Sequence, residues 1–108
     1  MPLACFTYKL NSAVTPQAYE AWVADFDYPH VTQIPSVLSQ RIYRMRVFVG
    51  GPKSYDYLEI IEFTNLAQYL NDLQNNPAAQ EIKAQVFNFV SIVNNAFGDF
   101  IPPGVTRI

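Results

Sequence analysis

A chain of 108 residues with half its residues hydrophobic and 15% aromatic is long enough to bury one apolar core, and its composition excludes a disordered chain. A formal net charge of −2, with no acidic or basic run, argues against a general nucleic-acid binder, because phosphate binding needs a positive surplus. Only 15% of residues are charged, so part of the surface is expected to be covered, most simply by a second copy of the chain. The single cysteine, Cys5, cannot form an intrachain disulfide, which suits a reducing, cytoplasmic setting. Residues 1–5 carry no basic stretch before an apolar one, and no apolar segment reaches bilayer length. Neither a secretory signal nor a membrane span is expected.

The first segment, Leu3 to Leu10, contains Phe6, Thr7 and Tyr8 and predicts a strand. Asn11-Ser12-Ala13 breaks it. Thr15-Pro16 then starts a helix: the threonine accepts a backbone N–H bond, and proline at the first helical position loses nothing by lacking its own donor. Tyr19, Trp22, Val23 and Phe26 recur at helical spacing, and Pro29 is expected to end the helix near Asp27-Tyr28. Two prolines six residues apart predict a loop from Asp27 to Ser36.

Val37 to Val49 predicts a long strand, Gly50-Gly51-Pro52-Lys53-Ser54 a turn, and Tyr55 to Phe63 its antiparallel partner. Thr64 or Asn65 caps the next helix, whose stripe is Leu66, Tyr69, Leu70 and Leu73. Asn75-Asn76-Pro77 interrupts it, and Ile82, Val86, Phe89 and Val90 continue the helical period in a second piece. A last strand follows from about Ser91 to Ile101, and Pro102-Pro103-Gly104 opens a tail.

The order β-α-β-β-α-β predicts an α+β, ferredoxin-like domain over residues 1–108, with a four-stranded antiparallel sheet and both helices on one face. In the second strand Leu38, Ile42 and Phe48 point one way and Val37, Tyr43, Met45 and Val47 the other. In the third, Tyr57, Ile61 and Phe63 oppose Leu58 and Ile60. Apolar groups on both faces predict a homodimer through the sheet face away from the helices.

This pattern resembles the dimeric α+β barrel superfamily, in which two such sheets pack across a two-fold axis. The resemblance covers nearly the whole chain, including the helix break at Asn75-Asn76-Pro77-Ala78-Ala79-Gln80. More narrowly, Asp27-Tyr28-Pro29 followed by Ile34-Pro35-Ser36-Val37 is similar to the RedY-like (HapK-like) family, linked to prodiginine biosynthesis. The superfamily includes cofactor-free monooxygenases, polyketide cyclases and haem-degrading enzymes, so fold alone does not choose a reaction. The resemblance implies a small cofactor-free enzyme or accessory protein of secondary metabolism, promoting cyclisation or condensation of an apolar aromatic or polyketide-like substrate. The alternatives are a non-enzymatic ligand-binding or assembly module and a cofactor-free monooxygenase.

His30 is the only histidine and lies near Asp25 and Asp27, so it is the candidate base, with Asp27 setting its tautomer. Superfamily cyclases pair a histidine base with a tyrosine, which makes Tyr8 or Tyr43 the candidate donor. Trp22, Phe26, Phe87 and Phe89 sit at positions that form either an aromatic substrate pocket or an ordinary core. Arg41, Arg44 and Arg46 are expected to pair across the sheet with Glu59 and Glu62. One histidine and one cysteine do not make a zinc set, and no metal or cofactor is expected.

Overall fold

The computed structural model describes residues 1–107. Strand β1 (Pro2–Leu10) leads to helix α1 (Pro16–Trp22), a π-helical segment (Val23–Asp27) and a short helix α2 (Tyr28–Val31). Strands β2 (Val37–Arg44) and β3 (Tyr57–Phe63) follow, then helices α3 (Leu66–Asn75) and α4 (Pro77–Val86), and strand β4 (Val90–Asp99). The sheet order is β2-β3-β1-β4, every pair antiparallel. This is the expected ferredoxin-like arrangement. No helix is long and apolar enough to cross a membrane among the described residues.

The helix starts follow from their caps. Thr15 Oγ1 accepts from the Ala18 N–H at 3.2 Å, and Pro16 occupies the first turn. Asn65 Oδ1 accepts from the Gln68 N–H at 2.8 Å. Asn76 both ends α3 and caps α4, accepting from Ala78 N–H at 2.9 Å and Ala79 N–H at 3.2 Å. The Asn-Asn-Pro sequence therefore turns the chain between two helices.

Four segments depart from the sequence expectations. Pro29 does not end the first helical run. The backbone stays helical through Val31, because the π-helical turn between Val23 and Asp27 widens the path just before the proline ring. Strand β2 stops at Arg44 rather than Val49: Met45 N–H bonds Asp56 O at 2.8 Å, and the chain then leaves the sheet toward Gly50, at φ +84°. Val90 belongs to β4, not to the preceding helix, which ends at Val86.

The fourth departure is a bulge between Val37 and Ser39. It adds one residue to β2, so Val37 and Ile42 both pack on the helix side while Leu38 is 52% exposed. Simple alternation had put Val37 and Leu38 on the opposite sides.

The core lies between sheet and helices. Ala4, Phe6, Tyr8 and Leu10 from β1, and Tyr57, Ile61 and Phe63 from β3, meet Tyr19, Trp22 and Val23 at one end and Tyr69 at the other. The far face of the sheet carries Leu3 and Cys5, half-buried, beside Leu58 and Ile60 of β3, with Tyr43 of β2 opposite Leu58.

The arginines do not pair with Glu59 and Glu62. Arg44 forms a two-pronged contact with Glu20 of α1, at 2.6 Å (Nε–Oε2) and 2.8 Å (Nη2–Oε1). Tyr57 also donates to Glu20 Oε2 at 2.6 Å. These two donors hold the Glu20 carboxyl below its ordinary range. Glu62 instead accepts from Ser39 Oγ at 2.8 Å, and Glu59 is buried on the helix side.

Candidate functional site

A cavity of about 290 Å³ lies between the helix-facing side of the sheet and the helices. Phe6, Ile61, Val31, Ile34, Leu73 and Val86 contribute its apolar wall. Ile92, Asn95 and Phe97 of β4 line it as well. Both Ile92 and Phe97 remain partly exposed, which marks the β4 side as its mouth.

The polar floor is built from four strand and helix positions. Tyr8 of β1 donates its hydroxyl proton to Glu59 Oε1 at 2.6 Å. Gln40 of β2 donates through Nε2 to Glu59 Oε2 at 2.5 Å and to Asp27 Oδ2 at 3.1 Å. Glu59 and Asp27 are thus joined by one amide. Gln40 Oε1 is buried and has no partner among the described residues. Tyr19 and Tyr69 complete the polar lining.

The electrostatics follow from burial. Glu59 is 5% exposed and its carboxyl is pushed up by desolvation, against the lowering effect of the hydrogen bonds from Tyr8 and Gln40. Asp27 is 4% exposed, and its carboxyl is raised to about 7. Desolvation is the main cause and the nearby Glu59 charge adds to it, while Gln40 and His30 pull the other way. A carboxyl that titrates near neutrality can both take up and return a proton in one catalytic cycle. The phenols of Tyr8 and Tyr19 are pushed far above their usual value by burial and by Glu59, so both stay protonated.

The structure brings only some of the sequence candidates together. Tyr8 and Asp27 line the cavity. His30 is not among its lining residues: Nδ1 lies 2.8 Å from Phe26 O, Nε2 lies 2.7 Å from Glu81 Oε2, and the ring stacks on Phe26 at 3.8 Å between centroids. The carboxylate beside the imidazole is therefore Glu81 of α4, not Asp25 or Asp27. Tyr43 is 45% exposed and, through its register with Leu58, sits on the far face of the sheet.

Among the aromatic candidates, Phe87 lines the cavity and is half exposed. Trp22, Phe26 and Phe89 form a stacked group instead, with Trp22 centred 5.7 Å from Phe26 and 5.3 Å from Phe89. Trp22 Nε1 donates to Gln85 Oε1 at 2.9 Å. That group belongs to the core cluster around Tyr19 and Tyr57.

Glu59, Gln40, Tyr19 and Tyr69 escaped the sequence reading as site residues. One signal was available for Glu59. In the alternation Tyr57, Glu59, Ile61, Phe63 it places a carboxyl on the face that otherwise carries only core residues. Among the described residues, no group of three His, Cys, Asp or Glu side chains is placed to hold a metal ion.

Comparison with known proteins gives the same architecture a lineage. HapK from Hahella chejuensis superposes with a TM-score of 0.83 at 21% identity, covering 99% of each chain. SnoaB, a cofactor-independent oxygenase from Streptomyces nogalater, superposes at 0.70 with 13% identity over 94% of each chain. A dimeric ferredoxin-like protein of unknown function from Thermobifida fusca superposes at 0.66 with 14% identity, over 92% of this chain and 88% of that one. No curated protein matches the sequence. Residues 3–101 match the family model for the REDY-like protein HapK, nearly the whole span from the first strand to the end of the last, and the chain belongs to that family.

Proposed function

We propose that the chain is a small cofactor-free enzyme or accessory protein of secondary metabolism that promotes cyclisation or condensation of an apolar aromatic or polyketide-like ligand. One observation carries this reading. A mostly apolar cavity encloses a carboxyl, Asp27, whose pKa is about 7. The cavity lies at the small end of the usual range for ligand sites, which suits a compact ligand of one or two fused rings.

In this reading Asp27 moves the proton. As carboxylate it accepts one from the ligand, and as acid it returns one after bond formation. Glu59 and Gln40 hold Asp27 in place, and Tyr8 shields Glu59 from solvent. His30 acts at one remove. By stacking on Phe26 and contacting Glu81 it ties α2 to α4 and fixes the helical turn that carries Asp27.

The test is ligand occupancy. Native mass spectrometry of protein purified from its own host is expected to show a bound small molecule. Val86→Trp, which puts an indole into the cavity from α4, is expected to abolish that adduct at an overpacking cost of about 1–3 kcal/mol, with an unchanged far-UV circular dichroism spectrum. The adduct persisting in the filled variant would contradict the reading. Turnover of a ligand so identified then separates the enzyme from a binding module, and Asp27→Asn is expected to lose more of it than His30→Gln.

We further propose a homodimer through the sheet face away from the helices. That face presents Leu58 and Ile60 of β3 with Leu3 and Cys5 of β1, and Thr7 Oγ1 is buried there without a partner among the described residues. Sedimentation at micromolar concentration is expected to give twice the chain mass. Ile60→Lys, which puts an ammonium at the centre of that face, is expected to give the monomer.

A further inference from the structure

A groove of about 290 Å³ runs between α2 and the free edge of β2. Tyr28, Val31 and Thr32 line its helical side, and Val37, Leu38 and Gln40 its strand side. Two features of the chain shape it. The bulge between Val37 and Ser39 bends β2 at this point. The Tyr28 hydroxyl accepts from the Ile42 N–H at 3.2 Å, which props α2 against the strand edge.

Val31, Val37 and Gln40 also line the cavity between sheet and helices, so the groove and the cavity share a wall made of those three side chains. Two of the three are apolar. Gln40 is the one member of the polar floor that reaches both spaces. Its Nε2 is occupied by Glu59 and Asp27, whereas Oε1 is buried without a partner among the described residues. A buried acceptor is costly to leave unmatched, and a water entering along the groove supplies the missing donor.

We infer that the groove is a solvent passage to the floor of the cavity, gated by Gln40, Val31 and Val37 and separate from the mouth at β4. Rotation of these side chains is enough to admit a water molecule. The passage joins bulk solvent to the side of the floor that carries Asp27 and Glu59.

The use of the passage in turnover rests on the proton-carrying role of Asp27 proposed above. A ligand entering past Ile92 and Phe97 closes the β4 side to solvent. Condensation releases a water molecule, and a proton kept by Asp27 has to reach bulk solvent before the next cycle. Water admitted past Gln40 takes up that proton and carries it out along the groove, which leaves the carboxylate ready for a new ligand.

The readout is the Tyr8 hydroxyl proton, which sits on the floor, bonded to Glu59 at 2.6 Å and buried. Its exchange with solvent is followed by NMR in ligand-free protein at fixed pH, through the isotope shift at the Tyr8 ring carbon in a mixture of light and heavy water. Thr32→Trp and Leu38→Trp each place an indole in the groove from an exposed position, so the core is untouched. Asn95→Trp does the same at the β4 mouth. Both groove variants are expected to slow Tyr8 exchange by at least about tenfold, and Asn95→Trp by less than about twofold. Val37→Ala, which thins the gate, is expected to speed it several-fold. The backbone amide of Ile61, in the middle of β3, reports opening of the whole molecule and is expected to keep its wild-type rate in the tryptophan variants. Slowing by Asn95→Trp that matches or exceeds that of the groove variants, or no slowing in any of them, overturns the passage and leaves the ligand-binding reading standing. That reading falls on its own test, the adduct persisting in Val86→Trp, so the two failures are separable.

Discussion

Asp27→Asn is expected to remove from this protein's stability the pH dependence that Asp27 contributes between about pH 4 and pH 7. The sign follows from the direction of the displacement. The folded state holds the Asp27 proton up to about pH 7, whereas an unfolded aspartate releases it near 3.8. Between those values the folded chain binds more protons than the unfolded one, so stability is fully present below the lower value and is lost as pH rises to the upper. A displacement of that size corresponds to about 4 kcal/mol. Glu59 is displaced the same way and steepens the fall, whereas Glu20 is displaced oppositely and adds stability as pH rises. The useful measurement is the difference between wild type and variant in urea unfolding at fixed protein concentration. That difference is expected to swing toward the variant by a few kcal/mol from acid to neutral pH. A constant difference would mean that Asp27 ionises normally, and would remove the acid–base role assigned to it.

Trp22→Ala is expected to cost about 3–5 kcal/mol, a large share of the stability of a domain this size. The indole stacks with both Phe26 and Phe89 and packs in the cluster that joins α1 to β1 and β3. Its removal is expected to lower the melting temperature by more than about 10 °C. Trp22→Phe keeps a ring there and loses the bond to Gln85, so about 1–2 kcal/mol is expected. Affinity for the small molecule found bound to the wild-type protein is expected to be unchanged in the Phe variant, because Trp22 is not among the cavity-lining residues. A large loss of affinity with little loss of stability would return Trp22 to the substrate pocket.

The element order was legible because its signals are local. Thr15-Pro16, Asn65 and Asn76-Pro77 cap helices through contacts within three residues, and each helix begins where its cap predicts. What the sequence hid depends on distant parts. The bulge at Val37/Ser39 is set by pairing with β3 and changes which side chains of β2 face the core. Arg44 takes a partner from α1 rather than from the adjacent strand, because Tyr57 already orients Glu20 toward it. In the site, Tyr8 stood out as a strand phenol able to donate a proton, and Asp27 as a carboxylate near His30 in sequence. Glu59 looked like a surface partner for arginine, since a buried carboxyl reads the same in sequence as an exposed one. Its inward face shows in the alternation of β3, but its hydrogen-bond partners come from positions 19 and 51 residues away.

The wide turn between Val23 and Asp27 fixes which way the Asp27 carboxyl looks. Tyr19, Val23, Asp27 and Val31 all face inward, each four residues after the last. In a uniform α-helix four residues overshoot a full turn by about 40°, so three such steps would swing the last of them roughly 120° away from the first. The broader winding counters that drift and keeps all four on the buried side. A uniformly wound helix of the same residues would instead carry Asp27 about 80° away from the line of Tyr19. Asp27 would then leave the cavity wall with every side chain chemically unchanged. The placement of that carboxyl is therefore as sensitive to the winding of one helix as to residue identity in the pocket.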